Sequence, residues 1–357
     1  MIDGMNWKAP DTLNMPVFNS LIKDGTYIQK SYMIIPHHPT IGDYSNFNSC
    51  SFPNPMLHEG TVFIRPENRM IQEMISPGRQ TAFIVNTSDY YTVATGFTTC
   101  IMDPSLSDRQ VVEQAISLLE KQSIAFMRVH LQTAGNLGLS VFMSSPDEPY
   151  HRDIWGRNSP YSDAIENADK LLGEFIAYLK KSGKWDNTIL IVTADHGQSQ
   201  VGWHPLFDEE SWSTPLVFHG PGIAKGRELP YFEHTDLAPT IAWLLGVEHP
   251  NPGGGGGNPV KEIMANSDVS RYIPEIRILK INQQIKEFNL LKSELLLMAE
   301  KKRYLSNVIA ALENTNLTKE PFYHQDRITD WHKAGSAEHM IEANENILKM
   351  MRGALNQ

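Results

Sequence analysis

Thr188-Ile-Leu-Ile-Val-Thr-Ala-Asp-His-Gly197 is an apolar run that ends in a carboxylate beside an imidazole. Its β-branched residues read as a buried strand. In open α/β sheets ligands collect beyond the carboxyl ends of the strands. Asp with His is also a donor set that hard and borderline divalent cations accept. Alone, Asp195-His196-Gly197 is equally an ordinary turn, so its meaning depends on what converges with it.

Working outward, other strand-like runs are Tyr27–Ile35, Thr81–Val85, Ile124–Leu131 and Pro215–Phe218, with helical periodicity between them. That alternation predicts an α/β fold. Ser107-Asp-Arg-Gln110 has the form of a capping box ahead of a helix carrying Val111, Val112, Ala115, Leu118 and Leu119. Ile165, Ala168, Leu171, Leu172, Phe175, Ile176 and Leu179 form one helical face, and Asp236–Leu245 reads as a further helix ended by Gly246. Asn251–Pro259 holds five consecutive glycines and reads as a loop. After it the character changes. Apolar residues recur at helical spacing from Ile276 to Leu312 among Lys and Glu, and again over Ala337–Leu355. The expected organisation is an α/β domain over 1–262 and a helical hairpin over 263–357. The hairpin would pack on that domain or on a second copy, giving a homo-oligomer.

The formal charge is −10 over 357 residues, which argues against non-specific binding to nucleic acid or anionic membrane. An acidic protein handling anionic esters needs local positive charge, which a bound cation supplies. Cys50 and Cys100 are the two cysteines, and their number identifies no redox compartment. No apolar run reaches the roughly 18 residues that would span a bilayer. Met1-Ile-Asp-Gly4 reads as the end of a strand, as in a trimmed chain.

Pro36-His-His-Pro-Thr40-Ile-Gly-Asp43 follows the strand-like run Tyr27–Ile35. A hydroxyl at a helix start sits where unpaired N–H groups favour negative charge. Thr40 beside a divalent cation would be an activated nucleophile; otherwise it is an N-cap.

The combination resembles the alkaline phosphatase superfamily, in its type I phosphodiesterase and sulfatase-like branches, over residues 1–262. The resemblance rests on Asp3-Gly4, on Thr40 followed by Pro53 and Gly60, and on the helix 159–173. It rests further on Asp195-His196-Gly197, on Pro215–Gly222 and on His234–Ile241. It implies an α/β/α sandwich with a mostly parallel central sheet, with the helical segment appended. It also implies Thr40 as the catalytic nucleophile and a first metal site of Asp3, Thr40, Asp195 and His196, suited to Zn or Mn. Relatives often work outside the cytoplasm, so a periplasmic or extracellular location is expected.

A second metal site departs from the family pattern. Where phosphodiesterases carry Asp-x-x-Gly-His, this chain has Gln132-Thr-Ala-Gly-Asn136. Gln132 and Asn136 become candidate substrate contacts, as do His37, His38 and Asp43 near the nucleophile. Asp147, His151, His204 and His234 are the candidate replacement ligands, so one ion or two would be held. The sulfatase signature Cys/Ser-x-Pro-x-Arg is absent around Thr40. The expected activity is hydrolysis of a small-molecule phosphoester. The alternatives are transfer of a phosphoryl-linked head group, or a sulfatase-like protein with degenerate catalysis.

Overall fold

The structure, a computed structural model, describes residues 1–35, 47–51, 68–252, 256–313 and 337–356. Its centre is one layer of strands in two parts. β2 (Gln80–Val85) lies between β3 (Thr99–Met102) and β4 (Ile124–His130), all parallel. β6 (Ser213–His219) lies between β5 (Leu190–Thr193) and β1 (Thr26–Tyr32), antiparallel to both. The short strands β7 (Arg227–Glu228) and β8 (Phe232–Glu233) pair parallel with β1. β6 is therefore the reversed strand in an otherwise parallel arrangement.

Residues 1–3 join the parts. Ile2 bridges Leu131 in parallel sense and donates its N–H to Thr193 O (2.9 Å), while Asp3 N donates to Leu131 O (3.0 Å). On the other side of Ile2, the inner edges of β4 and β5 face each other across a cavity of about 770 Å³. Its lining includes Ile124, Phe126, Ile189, Ile191, Leu171 and Leu244.

Period-two alternation gives the sheet two buried faces. Val192 and Val217 join a core with Phe18, Val111, Ile165 and Leu171, beneath the helices Pro16–Asp24, Asp108–Lys121 and Pro160–Lys181. Leu216 and Phe218, their neighbours along β6, point the other way. They meet Ile71, Ile75, Leu237 and Ile241 of the helices Ile71–Ile75 and Leu237–Leu245. This is the α/β/α sandwich expected from sequence. The Ser107 capping box forms in both directions, and Gly246 ends its helix in the left-handed conformation (φ 65°).

The C-terminal region differs from the expected pair. The run from Ile276 divides into the helices Ile278–Ala299 and Tyr304–Glu313, and Glu338–Leu355 packs against both. At the break the N–H groups of Lys301 and Lys302 both turn back to Met298 O. Apolar residues spaced for a helix thus continue through a turn that carries no Gly or Pro. Ile278, Ile281, Ile285 and Met340 pack on Tyr32–Ile35, Trp212 and Tyr231 of the same chain. No described helix is long and apolar enough to cross a membrane.

Candidate metal centre

The ladder places Asp3 between the carboxyl ends of β4 and β5, and both strands end in candidate ligands. β4 ends at His130. β5 runs through Ala194 into Asp195 and His196. Asp3, His130 and Asp195 are all buried and each offers a ligand atom within 4.8 Å of the others. His196 Nδ1 engages Gly197 O at 2.8 Å, which turns Nε2 inward. There Nε2 stands 3.7 Å from Asp195 Oδ2 and 3.9 Å from Asp3 Oδ1. Donors bound at about 2.0–2.2 Å to one tetrahedral ion lie roughly 3.3–3.6 Å apart, so a contraction of a few tenths of an ångström would close them on a cation.

The surroundings fit that use. Asp195 Oδ2 is buried with no hydrogen-bond partner among the described residues, while Oδ1 accepts from Gly4 N (3.2 Å). A buried carboxylate oxygen left so is costly unless something positive meets it. Burial, and then the Asp195 charge, push the Asp3 carboxyl well above the usual carboxylate range. Burial works in the same direction on Asp195, but His196 and the Gly4 N–H act against it, and its carboxyl is lowered to about 2. Two carboxylates crowded together in a buried site require a shared proton or a cation. Asp3, Asp195 and His196 therefore fit a divalent ion, and His130 stands beside them.

Asp3 is held from several sides. His130 Nε2 lies 3.0 Å from its Oδ2. The Tyr90 hydroxyl lies 3.2 Å from the same oxygen and 3.0 Å from Gln132 Oε1, and donates to one of them. The first turn of the helix Thr133–Phe142 presses on it. A Cβ at Gly135 would fall 1.6 Å from Asp3 Oδ1, so the glycine is a requirement of the carboxylate's position. Burial drives the His130 pKa well below the ordinary imidazole value, so its ring stays neutral and able to coordinate or to accept.

Of the expected residues, the structure brings Asp3, Asp195 and His196 together. Thr40, His37, His38 and Asp43 lie outside the described residues. His204 reaches the centre's edge: its ring centroid is 4.3 Å from that of His196 and 3.9 Å from that of Trp203. Trp203 holds a left-handed backbone (φ 64°), an unusual conformation for a bulky residue, to present it. His234 is buried beside β1 and β6, with Nε2 3.1 Å from Ser31 Oγ and 3.0 Å from Thr214 Oγ1. Gln132 contacts Tyr90 as described, whereas Asn136 is exposed on its helix. Asp147 is exposed, and His151 Nδ1 is taken up by Ser144 O of its own loop (2.8 Å). Neither belongs to the group of metal-type ligands found among the described residues. His130 and Tyr90 escaped the sequence reading. The signal for His130 was present: like Asp195, it ends an apolar strand.

Known proteins share this α/β sandwich. Residues 77–247 match the Sulfatase family model. The multifunctional alkaline phosphatase superfamily protein PehA of Trinickia caryophylli is 37% identical over 106 residues, 28% of this chain. The match covers only 20% of that relative's length. Among solved structures, the phosphonate monoester hydrolase of Silicibacter pomeroyi aligns with a TM-score of 0.56 at 17% identity. That alignment covers 76% of this chain and 77% of the other. Murine ectonucleotide pyrophosphatase/phosphodiesterase 5 also aligns at 0.56, with 15% identity, over 74% of this chain and 98% of its own. The match to the Sulfatase model supports the resemblance to the alkaline phosphatase superfamily over residues 77–247.

Proposed function

We propose that this protein hydrolyses phosphate esters with a divalent cation, Zn or Mn, through a covalent intermediate on Thr40. The observation that carries the reading is that His196 Nε2 stands within 3.9 Å of both Asp3 and Asp195, beside an Asp195 Oδ2 that is buried without a hydrogen-bond partner among the described residues. When bound, the cation lowers the pKa of a neighbouring hydroxyl and offsets charge on phosphoryl oxygens.

The chain's own groups do the rest. Asp3, Asp195 and His196 hold the ion, and His130, Tyr90 and Gly135 fix the direction of the Asp3 carboxylate. The Thr40 oxygen bonds to phosphorus as the bond to the leaving alcohol breaks, and the departing oxygen takes up a proton. Water then displaces the threonine oxygen and gives its proton back to it. His204, stacked on Trp203 and tilted against His196, is placed to meet the ester. Sulfate-ester chemistry through a matured Cys or Ser is disfavoured, because the chain lacks that signature around Thr40.

The test combines elemental analysis with a panel of aryl phosphate monoesters, phosphate diesters and sulfate esters, with Zn and Mn supplied separately. We expect about one metal equivalent per chain and turnover of a phosphate ester that Thr40→Ala abolishes. Full activity in Thr40→Ala, or turnover of sulfate esters alone, would overturn the proposal.

A further inference from the structure

β4 and β5 lie within the layer of strands, between β2 and β6, yet most of their residues are only partly buried, and Ala125 is exposed. β2 and β6, the middle strands of the two parts, are buried almost throughout. The exposure falls on the cavity of about 770 Å³ shared by the inner edges of β4 and β5. Residues 1–3 set the width of that gap. Leu131 N donates to Met1 O and Leu131 O accepts from Asp3 N, both at 3.0 Å, while Ile2 N donates to Thr193 O at 2.9 Å. At this end the gap is therefore one strand wide, and the line of residues 1–3 points into it.

The walls are apolar on both sides of the sheet. Leu171 and Phe175 belong to the core over one face, Ile241 and Leu244 to the core over the other, and all four line the cavity. Gln122 and Lys184, shortly before β4 and β5, line its far end. Main-chain groups face the gap as well. Along a strand they turn to alternate sides. Leu131 and Thr193 turn theirs to residues 1–3, so Val129, Met127 and Ile191 turn theirs into the cavity. Val129 O meets the buried Met1 amine there (2.8 Å). Burial, and then Arg128, lower the pKa of that amine to about 5. Among the described residues no other strand pairs with these two edges. Polar main-chain groups in an apolar cavity are costly unless paired. A lipid chain would fill the volume and leave them unpaired, whereas a polypeptide strand pairs them.

We propose that this cavity is a docking slot for one further β-strand, an uncharged run of about six apolar residues lying parallel to β4 and β5 with its carboxyl end toward Met1. The length matches Ile124–Val129, the part of β4 that residues 1–3 leave open. Backbone bonds on both edges supply the affinity, and the apolar walls select the side chains. A charged segment is rejected by those walls, and a proline-bearing one lacks the donors that the edges need. Once seated, the strand makes one continuous sheet of the two parts.

The test places Glu-Glu-Val-Leu-Ile-Val-Ile-Val directly before Met1 of the full chain, with Glu-Glu-Ser-Gly-Ser-Asn-Gly-Ser there as the control. Both extensions replace the Met1 amine by an amide, and the two acids lie toward Lys184 and keep the segment soluble. We expect the apolar extension to raise Tm at least ~5 °C above the control. It should also slow amide exchange at Met127, Val129 and Ile191 at least ~100-fold. A third extension, with proline at alternate apolar positions, should behave as the control. If the apolar extension prevents folding, the same peptide, acetylated, is added to the parent protein and the same amides are read. Unchanged exchange at those amides would overturn the proposal, as would equal protection by the proline-bearing extension. Stabilisation by palmitate, with no protection by the strand, would make the cavity a lipid site instead.

Discussion

Asp3, Asp195 and His196 converge, whereas Asp147 and His151, the same residue types four apart in one loop, do not. The difference lies in what fixes each backbone. The first three follow strands whose ladders leave little freedom, with Asp3 N on Leu131 O and Ile2 N on Thr193 O. The loop pair spends its polar atoms locally, as His151 does on Ser144. Ligand-type residues in a sequence gain meaning from the element that ends beside them, more than from their spacing.

The strongest way to break that comparison is to remove a converging group. Asp195→Ala should abolish both stoichiometric metal binding and turnover, by more than about a thousandfold in kcat/KM, with an unchanged far-ultraviolet circular dichroism spectrum. Metal retained by this variant would mean that the centre lies elsewhere. Gly135→Ala comes next. Its Cβ would overlap Asp3 Oδ1, so metal affinity measured by titration should fall at least ~10-fold, although neither residue 135 nor its neighbours supplies a ligand.

His234 sharpens the contrast from another side. Burial lowers its pKa to about 3, so the folded protein holds the ring neutral between Ser31 and Thr214. The unfolded chain takes up its proton near the ordinary value of about 6.5. This contribution to stability is therefore complete above about pH 6.5 and is lost at about 1.4 kcal/mol per pH unit as pH falls toward 3. Denaturant titrations at several pH values should show that slope, and His234→Asn should reduce it. The smallest effect is expected at the loop: Asp147→Ala combined with His151→Ala should leave metal content unchanged and stability within about 0.5 kcal/mol. A lost metal equivalent there would restore the loop as a ligand source.

Much of the sheet and its helices was legible because apolar runs such as Pro215–Phe218 and helical faces such as Ile165–Leu179 follow from burial alone. β3 was not. Thr99–Met102 is four residues long and half exposed, so it carries no apolar run to read. The break at Glu300 was hidden for the opposite reason, since apolar spacing persists through it. In the centre, Asp3, Asp195 and His196 were readable as strand-end residues. His130 was passed over because its strand was read only for its apolar side chains. Tyr90 could not have been found, because its approach to Asp3 depends on tertiary packing across 87 residues of sequence.

The two parts of the sheet meet through residues 1–3 beside a cavity of about 770 Å³. His130 belongs to one part, Asp195 and His196 to the other, and Asp3 lies on the seam. A cation seated among them would act as a rivet, making each half's unfolding depend on the other's. Calorimetry would register this as one sharp heat-absorption peak for the loaded protein, broadening or splitting under a chelator.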